Sequence, residues 1–504
     1  MLYNLKSITE EYRKIGDEKM RIAIKNGYVI TMDGQNRIFE KGDVYLEDNK
    51  IVYVGPIDGI DFNADKIIDA NKKIVMPGFI NSHTHTTISV AKGTLDKDFH
   101  ALFMWRNMAA TARRTPEEVY YGTLASCIEV LKGGATTLQD HFPEQPWTSE
   151  EVDAAAQAFK DFGIRTVLAL RIYDDEYADI IPQNREILPA DLKELLNNNP
   201  LTPPSMDETI EMTAEAIKKW HDPNGMLWVV PAPSAPLRCS DDFMRGVVKL
   251  ADEYDVNIHT HLLESKIQSV VANQRYGKTL VAHMDDLGML SSKLSCAHSV
   301  WVTDEDIKLM AERGVSVCHN PTSNLRLGVG ICPVLKMQQA GVNVAVSTDG
   351  AATNDNLNML EAMKMATILH RVTETDRSKW LSAEDALYCG TMAAAKAVGM
   401  NDFIGSLEVN KSADLVIYDM DTLAFKPLYS PLRQLIYSAN NQHAETSIVN
   451  GEILMENGKL TRFEEDKLLD KLEEIKERLV HDNAEWFDFA ERIYPYLIAE
   501  QTKQ

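Results

Sequence analysis

The middle of the chain alternates short apolar segments with helical ones, and this alternation limits the possible folds more than any other feature. Between residues 74 and 402 we predict eight strands of four to six residues, with helices such as 116–132 and 303–313 between them. The strand candidates are 73–76, 135–139, 165–170, 227–230, 256–260, 294–297, 315–318 and 342–347. Eight β-then-α units in about 330 residues favour an α/β fold, a (β/α)8 TIM-like barrel, with a doubly wound open sheet as the alternative.

Both ends of the chain have a different pattern, in which apolar and polar residues alternate and glycines mark turns. The predicted strands of this kind are 21–25, 43–47, 50–54, 412–418 and 446–451. We therefore expect residues 1–73 and 403–462 to form one small β-sandwich domain, and residues 74–402 to form the barrel. Residues 463–504 place apolar side chains at helical intervals, which predicts a C-terminal helical tail that packs on the surface or joins subunits.

The chain has 52 basic and 75 acidic residues, so its formal net charge is −23. This excess of negative charge repels a phosphate backbone, so we expect no nucleic-acid partner. The six cysteines form no Cys-x-x-Cys pair, which indicates buried thiols in a reducing compartment. The first twenty residues lack the apolar segment of a signal peptide, and no apolar run approaches the length of a membrane span. We expect a cytoplasmic protein that does not enter membranes.

Histidine and aspartate residues follow four of the predicted barrel strands, and barrel enzymes carry their chemistry at these strand ends. His83 and His85 follow the first strand, a second His-x-His pair ending at His261 follows the fifth, His298 follows the sixth, and Asp349 follows the eighth. Alternate residues of a strand point the same way, so each His-x-His pair presents two imidazoles on one side. One such histidine alone would be a hydrogen-bonded core residue. Together, without thiolates, they predict a catalytic site for a divalent ion such as zinc, iron or manganese.

The residues around these positions resemble a known family. Pro77-Gly-Phe-Ile-Asn-Ser-His-Thr-His85 is similar to the first metal motif of the amidohydrolase superfamily. His319-Asn-Pro-Thr-Ser-Asn-Leu-Arg-Leu-Gly328 and Ser347-Thr-Asp-Gly-Ala-Ala-Thr-Asn-Asp355 resemble the branch that contains methylthioadenosine/S-adenosylhomocysteine deaminases and triazine hydrolases such as atrazine chlorohydrolase. The resemblance extends from about residue 20 to residue 460, and it implies a barrel with a small β-domain.

The resemblance also implies one divalent metal ion per chain, with zinc as the first choice and iron or manganese as alternatives. By position, the ligands would be His83, His85, His261 and Asp349. Glu264 would carry protons between water and substrate, His298 would contact the hydrolytic water or add a ligand, and Asp349 would help to deprotonate that water. No lysine lies near the end of the fourth strand, which argues against the carbamylated lysine of two-metal relatives.

Candidate substrate contacts lie at other strand ends and in the segment 92–107 after the first metal motif. They are Trp105, Gln139, His141, Arg171, Ser234 and Asn324, and for each of them packing or a structural hydrogen bond is the alternative. Ser234 is a departure from the resembled nucleoside deaminases, which carry a histidine in a Gly-Pro-His-Ser-Pro-like segment there. Because serine is a smaller and weaker partner for a ribose, this departure weighs against an adenosine-type substrate.

The function implied is metal-dependent hydrolysis, first of all hydrolytic deamination of an amino-substituted nitrogen heterocycle of purine, pterin, pyrimidine or triazine type by a metal-activated water. The alternatives are dechlorination or dealkylamination of a triazine-like ring, cyclic amide hydrolysis, and a binding protein of the same fold without catalysis. The family tendency and the helical tail predict a homodimer or a larger homo-oligomer.

Overall fold

The computed structural model describes residues 20–57, 59–94, 96–143, 145–176, 180–182 and 184–501. The strands of these ranges are β1 (Arg21–Ile30), β2 (Ile38–Glu47), β3 (Lys50–Pro56), β4 (Lys66–Asp69), β5 (Lys73–Pro77), β6 (Phe79–Thr84), β7 (Ala135–Phe142), β8 (Arg165–Ile172), β9 (Leu227–Pro233), β10 (Ile258–Leu262), β11 (Leu294–His298), β12 (Ser316–His319), β13 (Asn343–Val346), β14 (Leu415–Asp419), β15 (Ala444–Val449), β16 (Glu452–Glu456) and β17 (Lys459–Leu460).

The helices lie mainly between the barrel strands and at the C-terminal end. They are α1 (His100–Thr111), α2 (Pro116–Lys132), α3 (Ser149–Phe162), α4 (Ala190–Asn197), α5 (Met206–Trp220), α6 (Asp241–Tyr254), α7 (Lys266–Tyr276), α8 (Leu280–Asp286), α9 (Asp304–Arg313), α10 (Pro321–Arg326), α11 (Val334–Ala340), α12 (Ala351–Asn354), α13 (Met359–Leu369), α14 (Ala383–Gly390), α15 (Met392–Ala397), α16 (Pro431–Tyr437), α17 (Glu465–Asp482) and α18 (Ala484–Gln501). In the described ranges, no helix combines the length and the apolar character needed to span a membrane.

Eight parallel strands close into a barrel, which confirms the predicted fold class. Strands β6–β9 pair in sequence order, and so do β10–β13. The two sets meet at both edges through backbone hydrogen bonds. The amide of His261 donates to the carbonyl of Ser234 at 3.4 Å, and the amide of Asp349 donates to the carbonyl of His83 at 3.1 Å. These closing bonds join residues that the sequence places at the catalytic face.

The prediction that residues 73–76 form the first barrel strand is wrong. These residues lie in β5, which pairs with β1 and β14 in a separate sheet. The barrel begins instead at Phe79, after the break at Pro77 and Gly78. A Cβ atom at Gly78 would lie 2.2 Å from the side chain of Thr136, so only glycine lets the chain pass there. The apolar segment 73–84 therefore forms two short strands, β5 in the separate sheet and β6 in the barrel.

Both ends of the chain contribute to one nine-stranded sheet, as the sequence predicts. Its order is β17-β16-β15-β14-β5-β1-β2-β3, and β4 pairs with β1. Residues of this sheet share a hydrophobic cluster distinct from the barrel core. A buried ion pair joins the sheet to the barrel, because Arg165 at the start of β8 donates to Asp414 at 2.9 Å.

The C-terminal helices α17 and α18 pack against α1 and α2. The ring of Phe489 on α18 meets the edge of Trp105 on α1, with the ring centroids 5.0 Å apart. Arg478 on α17 pairs with Glu118 of α2, which also closes the capping box at the start of that helix with Thr115. The predicted helical tail thus holds α1, the helix that covers the catalytic face of the barrel.

Candidate metal centre and catalytic site

The structure brings the four predicted metal donors together at the carboxyl ends of the barrel strands. His83 and His85 lie at the end of β6, His261 lies on β10, and Asp349 follows β13; all four are buried. The Oδ1 atom of Asp349 lies 3.5 Å from Nε2 of His83 and 3.4 Å from Nε2 of His85. The Nε2 atoms of His85 and His261 are 3.3 Å apart.

These distances fit a small divalent ion. A tetrahedral zinc ion with bonds of about 2.0–2.1 Å separates its donor atoms by about 3.3–3.4 Å. The observed separations of 3.3–3.5 Å match that spacing. In addition, Nε2 of His83 is buried and has no hydrogen-bond partner. A buried polar atom without a partner costs free energy, so this nitrogen suits a metal bond. Nitrogen and carboxylate donors without a thiolate are the set expected of a catalytic zinc-type centre.

Hydrogen bonds behind the donors set the orientation of each ring. Nδ1 of His85 donates to the carbonyl of His141 at 2.8 Å, and Nδ1 of His261 donates to the carbonyl of Ser234 at 2.7 Å. Nδ1 of His83 lies 2.8 Å from Nε2 of His259. Because one ring nitrogen of each histidine is engaged in this way, the Nε2 atoms face one another.

Burial keeps these groups in the forms that bind metal. It lowers the pKa of His83 to about 4 and holds the pKa of His261 well below its ordinary value. Burial alone would raise the pKa of Asp349, but the adjacent imidazoles of His83 and His298 outweigh it, so that this pKa is lowered. The centre therefore offers neutral imidazoles and an ionised carboxylate.

Two residues of the site have left-handed backbone conformations, which are uncommon for residues other than glycine. The φ angle is 63° at Asp349 and 68° at His298. The side chain of Asp349 is held by the hydroxyl of Ser323 at 2.6 Å and by the amide of Gly350 at 2.7 Å. Strained backbone of this kind persists where the surroundings fix it and is frequent at functional sites.

Glu264 lies beside the metal donors and not among them. Its Oε2 atom is 3.1 Å from Nε2 of His100 and 3.8 Å from Nε2 of His298. Burial favours the neutral acid, but the two histidines outweigh it and lower the pKa of Glu264 to about 2. Glu264 is therefore ionised, the form in which a carboxylate can accept a proton. Nδ1 of His298 donates to Asn324 at 2.8 Å, which turns its Nε2 atom towards Asp349 and Glu264.

A cavity opens onto these residues. Its volume, including the part that is open to solvent, is about 370 Å³. Phe103 and Met104 of α1 form an apolar part of its wall. Arg171 and Arg238 line another part, and both donate to the hydroxyl of Ser234, at 2.9 Å and 3.3 Å. A flat apolar ring with polar substituents suits a wall of this composition.

The other predicted substrate contacts lie away from the cavity wall. Trp105 is fully buried against Phe489, and its indole nitrogen donates to the carbonyl of Ile180 at 3.0 Å. Gln139 donates to the carbonyl of Ser82 at 2.9 Å inside the barrel. His141 lies beside His261, with ring centroids 4.4 Å apart. In this structure these side chains pack the barrel and its covering helix.

Sequence reasoning missed His100, His259 and Arg238. His100 lies in the segment expected to cover the site, where only the aromatic residues drew attention. The first histidine of the second His-x-His pair is His259, and its Nδ1 lies 2.7 Å from the hydroxyl of Ser295. Arg238 lies four residues after Ser234, where this sequence departs from the resembled deaminases. That departure was the feature of the sequence that could have drawn attention to Arg238.

Comparison with known proteins supports the resemblance. The Amidohydrolase family model matches residues 74–454. A 5'-deoxyadenosine deaminase of Methanosarcina barkeri is 34% identical over 464 residues, which cover 91% of this chain and 98% of the relative. A 5-methylthioadenosine/S-adenosylhomocysteine deaminase of Thermoanaerobacter pseudethanolicus is 34% identical over 466 residues, covering 92% of this chain and all of the relative.

A solved structure of a triazine hydrolase is also similar. The atrazine chlorohydrolase of Arthrobacter aurescens, complexed with zinc, superposes with a TM-score of 0.81 at 26% identity, covering 90% of this chain and 100% of that one. Both kinds of enzyme in the branch that the sequence motifs resemble are thus represented among the similar proteins. With the family model matching most of the chain, the protein belongs to the amidohydrolase family.

Proposed function

We propose that this protein is a metal-dependent deaminase that hydrolyses the amino group of an adenosine-type nucleoside with a modified 5′ position. The observation that carries the proposal is the ionised Glu264, held by His100 at 3.1 Å at the edge of the four-donor centre. This arrangement suits proton transfer to a ring nitrogen. The two relatives at 34% identity, both named as deaminases of such nucleosides, support the substrate class.

The departure at Ser234 does not exclude this substrate. The Ser234 hydroxyl accepts hydrogen bonds from Arg171 and Arg238, and both guanidinium groups line the cavity. Guanidinium groups donate hydrogen bonds in a fixed planar pattern, which suits hydroxyl or carboxylate oxygens. We propose that these arginines contact the sugar or its 5′ substituent, the part of the substrate that the missing histidine would contact in the resembled deaminases.

The mechanism depends on the movement of two protons. An ion held by His83, His85, His261 and Asp349 would supply Lewis acidity that makes water nucleophilic near neutral pH. Glu264 accepts one proton of the attacking water and delivers it to the ring nitrogen next to the amino-bearing carbon. The second proton of the water goes to the amino group, which leaves as ammonia. The carbon–nitrogen bond breaks, and a carbon–oxygen bond replaces it.

The neighbouring side chains keep this transfer in place. His298, fixed by Asn324, and Asp349, fixed by Ser323, orient the water from its other sides. His100 lies 3.1 Å from Oε2 of Glu264 and fixes the position of this carboxylate beside the metal donors. Phe103 and Met104 cover the ring and exclude bulk water.

The test is ammonia release from a panel of 5′-modified adenosines, adenosine, other aminopurines, pterins, cytosine and aminotriazines, with product masses and metal content measured together. We expect the 5′-modified adenosines to give ammonia and a mass gain of about one unit, which is the exchange of an imino for an oxo group. Loss of chloride or alkylamine from a triazine without nucleoside turnover would instead support the second candidate. That candidate rests on Ser234 and on the similarity to atrazine chlorohydrolase.

We further propose zinc as the resident ion, one per chain, and a cytoplasmic homo-oligomer. The zinc in the similar atrazine chlorohydrolase supports the ion. All six cysteines are free and buried, which suits a reducing compartment. Leu423 and Tyr429 are 94% and 90% exposed, and we propose that a second copy of the chain covers them. Metal quantification and light scattering test the first and the last of these statements.

A further inference from the structure

We propose that His141 is an additional donor at the metal centre, which together with His83 and His261 forms a second, inner position for the ion. The inference concerns this chain's affinity for its metal and does not depend on which heterocycle the enzyme hydrolyses. It adds a residue of β7, a strand that contributes none of the four predicted donors.

The first observation is the state of the His141 side chain. The residue is 0% exposed, and neither of its ring nitrogens has a hydrogen-bond partner. Buried polar atoms are almost always paired, because an unpaired one loses its bonds to water without replacement. An imidazole with two unpaired nitrogens is therefore free to bind a ligand, provided that other donors lie close to it. Its backbone carbonyl is already engaged, since it accepts the hydrogen bond from Nδ1 of His85 at 2.8 Å.

The second observation is the position of its nitrogens relative to other donors. Donor nitrogens of His83, His141 and His261 all lie within 4.8 Å of one another, which makes a compact set of three imidazoles. A different set, His83, His298 and Asp349, meets the same limit. The two sets share His83, so the two positions for the ion are neighbours within one site.

The two sets differ in what else their members do. His298 and Asp349 face the cavity with Glu264, where water and substrate meet them. His141 is absent from the residues that line the cavity, and it lies behind His261. An inner set of three neutral nitrogens would hold the ion while Asp349 interacts with the reacting water. The expected consequence is slow loss of the metal.

The test uses the zinc-loaded enzyme, a His141→Asn variant and a His319→Asn control. His319 is a fair control because it also lies fully buried at a strand end with both ring nitrogens unpaired, but it belongs to neither donor set. The first measurement is the rate at which a chelator in excess removes zinc. The second is the visible absorption spectrum of the cobalt(II)-substituted proteins, which reports the number and type of ligands.

We expect His141→Asn to lose zinc about 10–100-fold faster than the unaltered enzyme, the range found when residues that support metal ligands are removed. Its cobalt spectrum should change, while His319→Asn should match the unaltered enzyme in both measurements. Faster zinc loss with an unchanged cobalt spectrum, or equal zinc loss in both variants, would mean that His141 only packs the site and would overturn the proposal.

If His141→Asn does not fold, crystals of the unaltered enzyme decide the question by anomalous scattering at the zinc edge. A zinc peak within about 2.0–2.1 Å of a ring nitrogen of His141, in any fraction of the molecules, supports the inner position. Zinc confined to the other donors, with a water molecule hydrogen-bonded to His141, overturns it.

Discussion

Replacing Glu264 by glutamine separates proton transfer from metal binding. The change keeps the size of the side chain and its hydrogen-bonding reach, but it removes the charge and the ability to carry a proton. In the structure, Oε2 of Glu264 lies 3.1 Å from His100, and Glu264 belongs to neither set of metal donors. We therefore expect the variant to bind zinc normally and to lose most of its turnover.

The size of the loss follows from the role assigned to the carboxylate. General acid–base catalysis by one positioned side chain contributes about 10²–10⁴-fold, which corresponds to about 2.7–5.4 kcal/mol of activation free energy. The loss should fall on kcat, because the ring of the substrate still fits between Phe103 and the barrel. The change in KM should be small, since the arginines that line the cavity are untouched.

The assay is ammonia release at saturating substrate, with zinc measured in the same samples. Glu118→Gln is the matched control, because Glu118 is also a buried and paired carboxylate, but its partner is Arg478 on the outer helices. A zinc-loaded Glu264→Gln variant whose kcat stays within about threefold of the unaltered enzyme would refute the proton-transfer role.

Three further predictions concern stability and the covering helix. Asp414→Asn leaves Arg165 buried without its carboxylate, and we expect the free energy of unfolding to fall by about 3 kcal/mol. The measurement is the denaturant midpoint, which should be lower in the variant. An unchanged midpoint would contradict the role of this ion pair in joining the sheet to the barrel. Burial lowers the pKa of His370 to about 4, so the unfolded chain takes up a proton near pH 6.5 while the folded chain does not; stability is therefore lost as the pH falls from 6.5 towards 4. Between pH 7 and pH 5 the contribution of His370 to this loss should be about 2 kcal/mol, and a His370→Gln variant that loses as much as the unaltered protein would rule this group out. Phe489→Ala removes the ring that packs against Trp105. We expect a several-fold rise in KM at unchanged zinc content, because α1 then holds Phe103 and Met104 less firmly in the cavity wall. An unchanged KM would show that the C-terminal helices do not support this wall.

The barrel was predictable because its signals are local. Most strands are short apolar runs, and several helices between strands carry their own N-terminal caps. The helix 116–132 begins and ends where the sequence predicts. The error at residues 73–76 has a different origin. That run is apolar and extended in either sheet, and only its pairing with β1 and β14 decides where it belongs.

That the four candidate metal donors lie together was predictable for the same kind of reason. A His-x-His pair at the end of a strand presents both rings on one side whatever surrounds it, and the parallel strands of a barrel bring their ends to one face. The substrate contacts were not predictable in this way. Trp105 lies on the same helix as Phe103, but the face of α1 that meets the cavity is set by the contact with Phe489 in the distant tail.

The sequence by itself determined the architecture, the family and the convergence of the four candidate donors, because strand periodicity, motifs and residue spacing carry that information locally. Only the tertiary structure decided that His100 holds Glu264, that two arginines meet at Ser234, and that His141 lies unpaired behind His261. These are contacts between residues far apart in the chain. They depend on how helices pack across the barrel mouth, and packing of this kind follows from the whole set of neighbours rather than from any one segment.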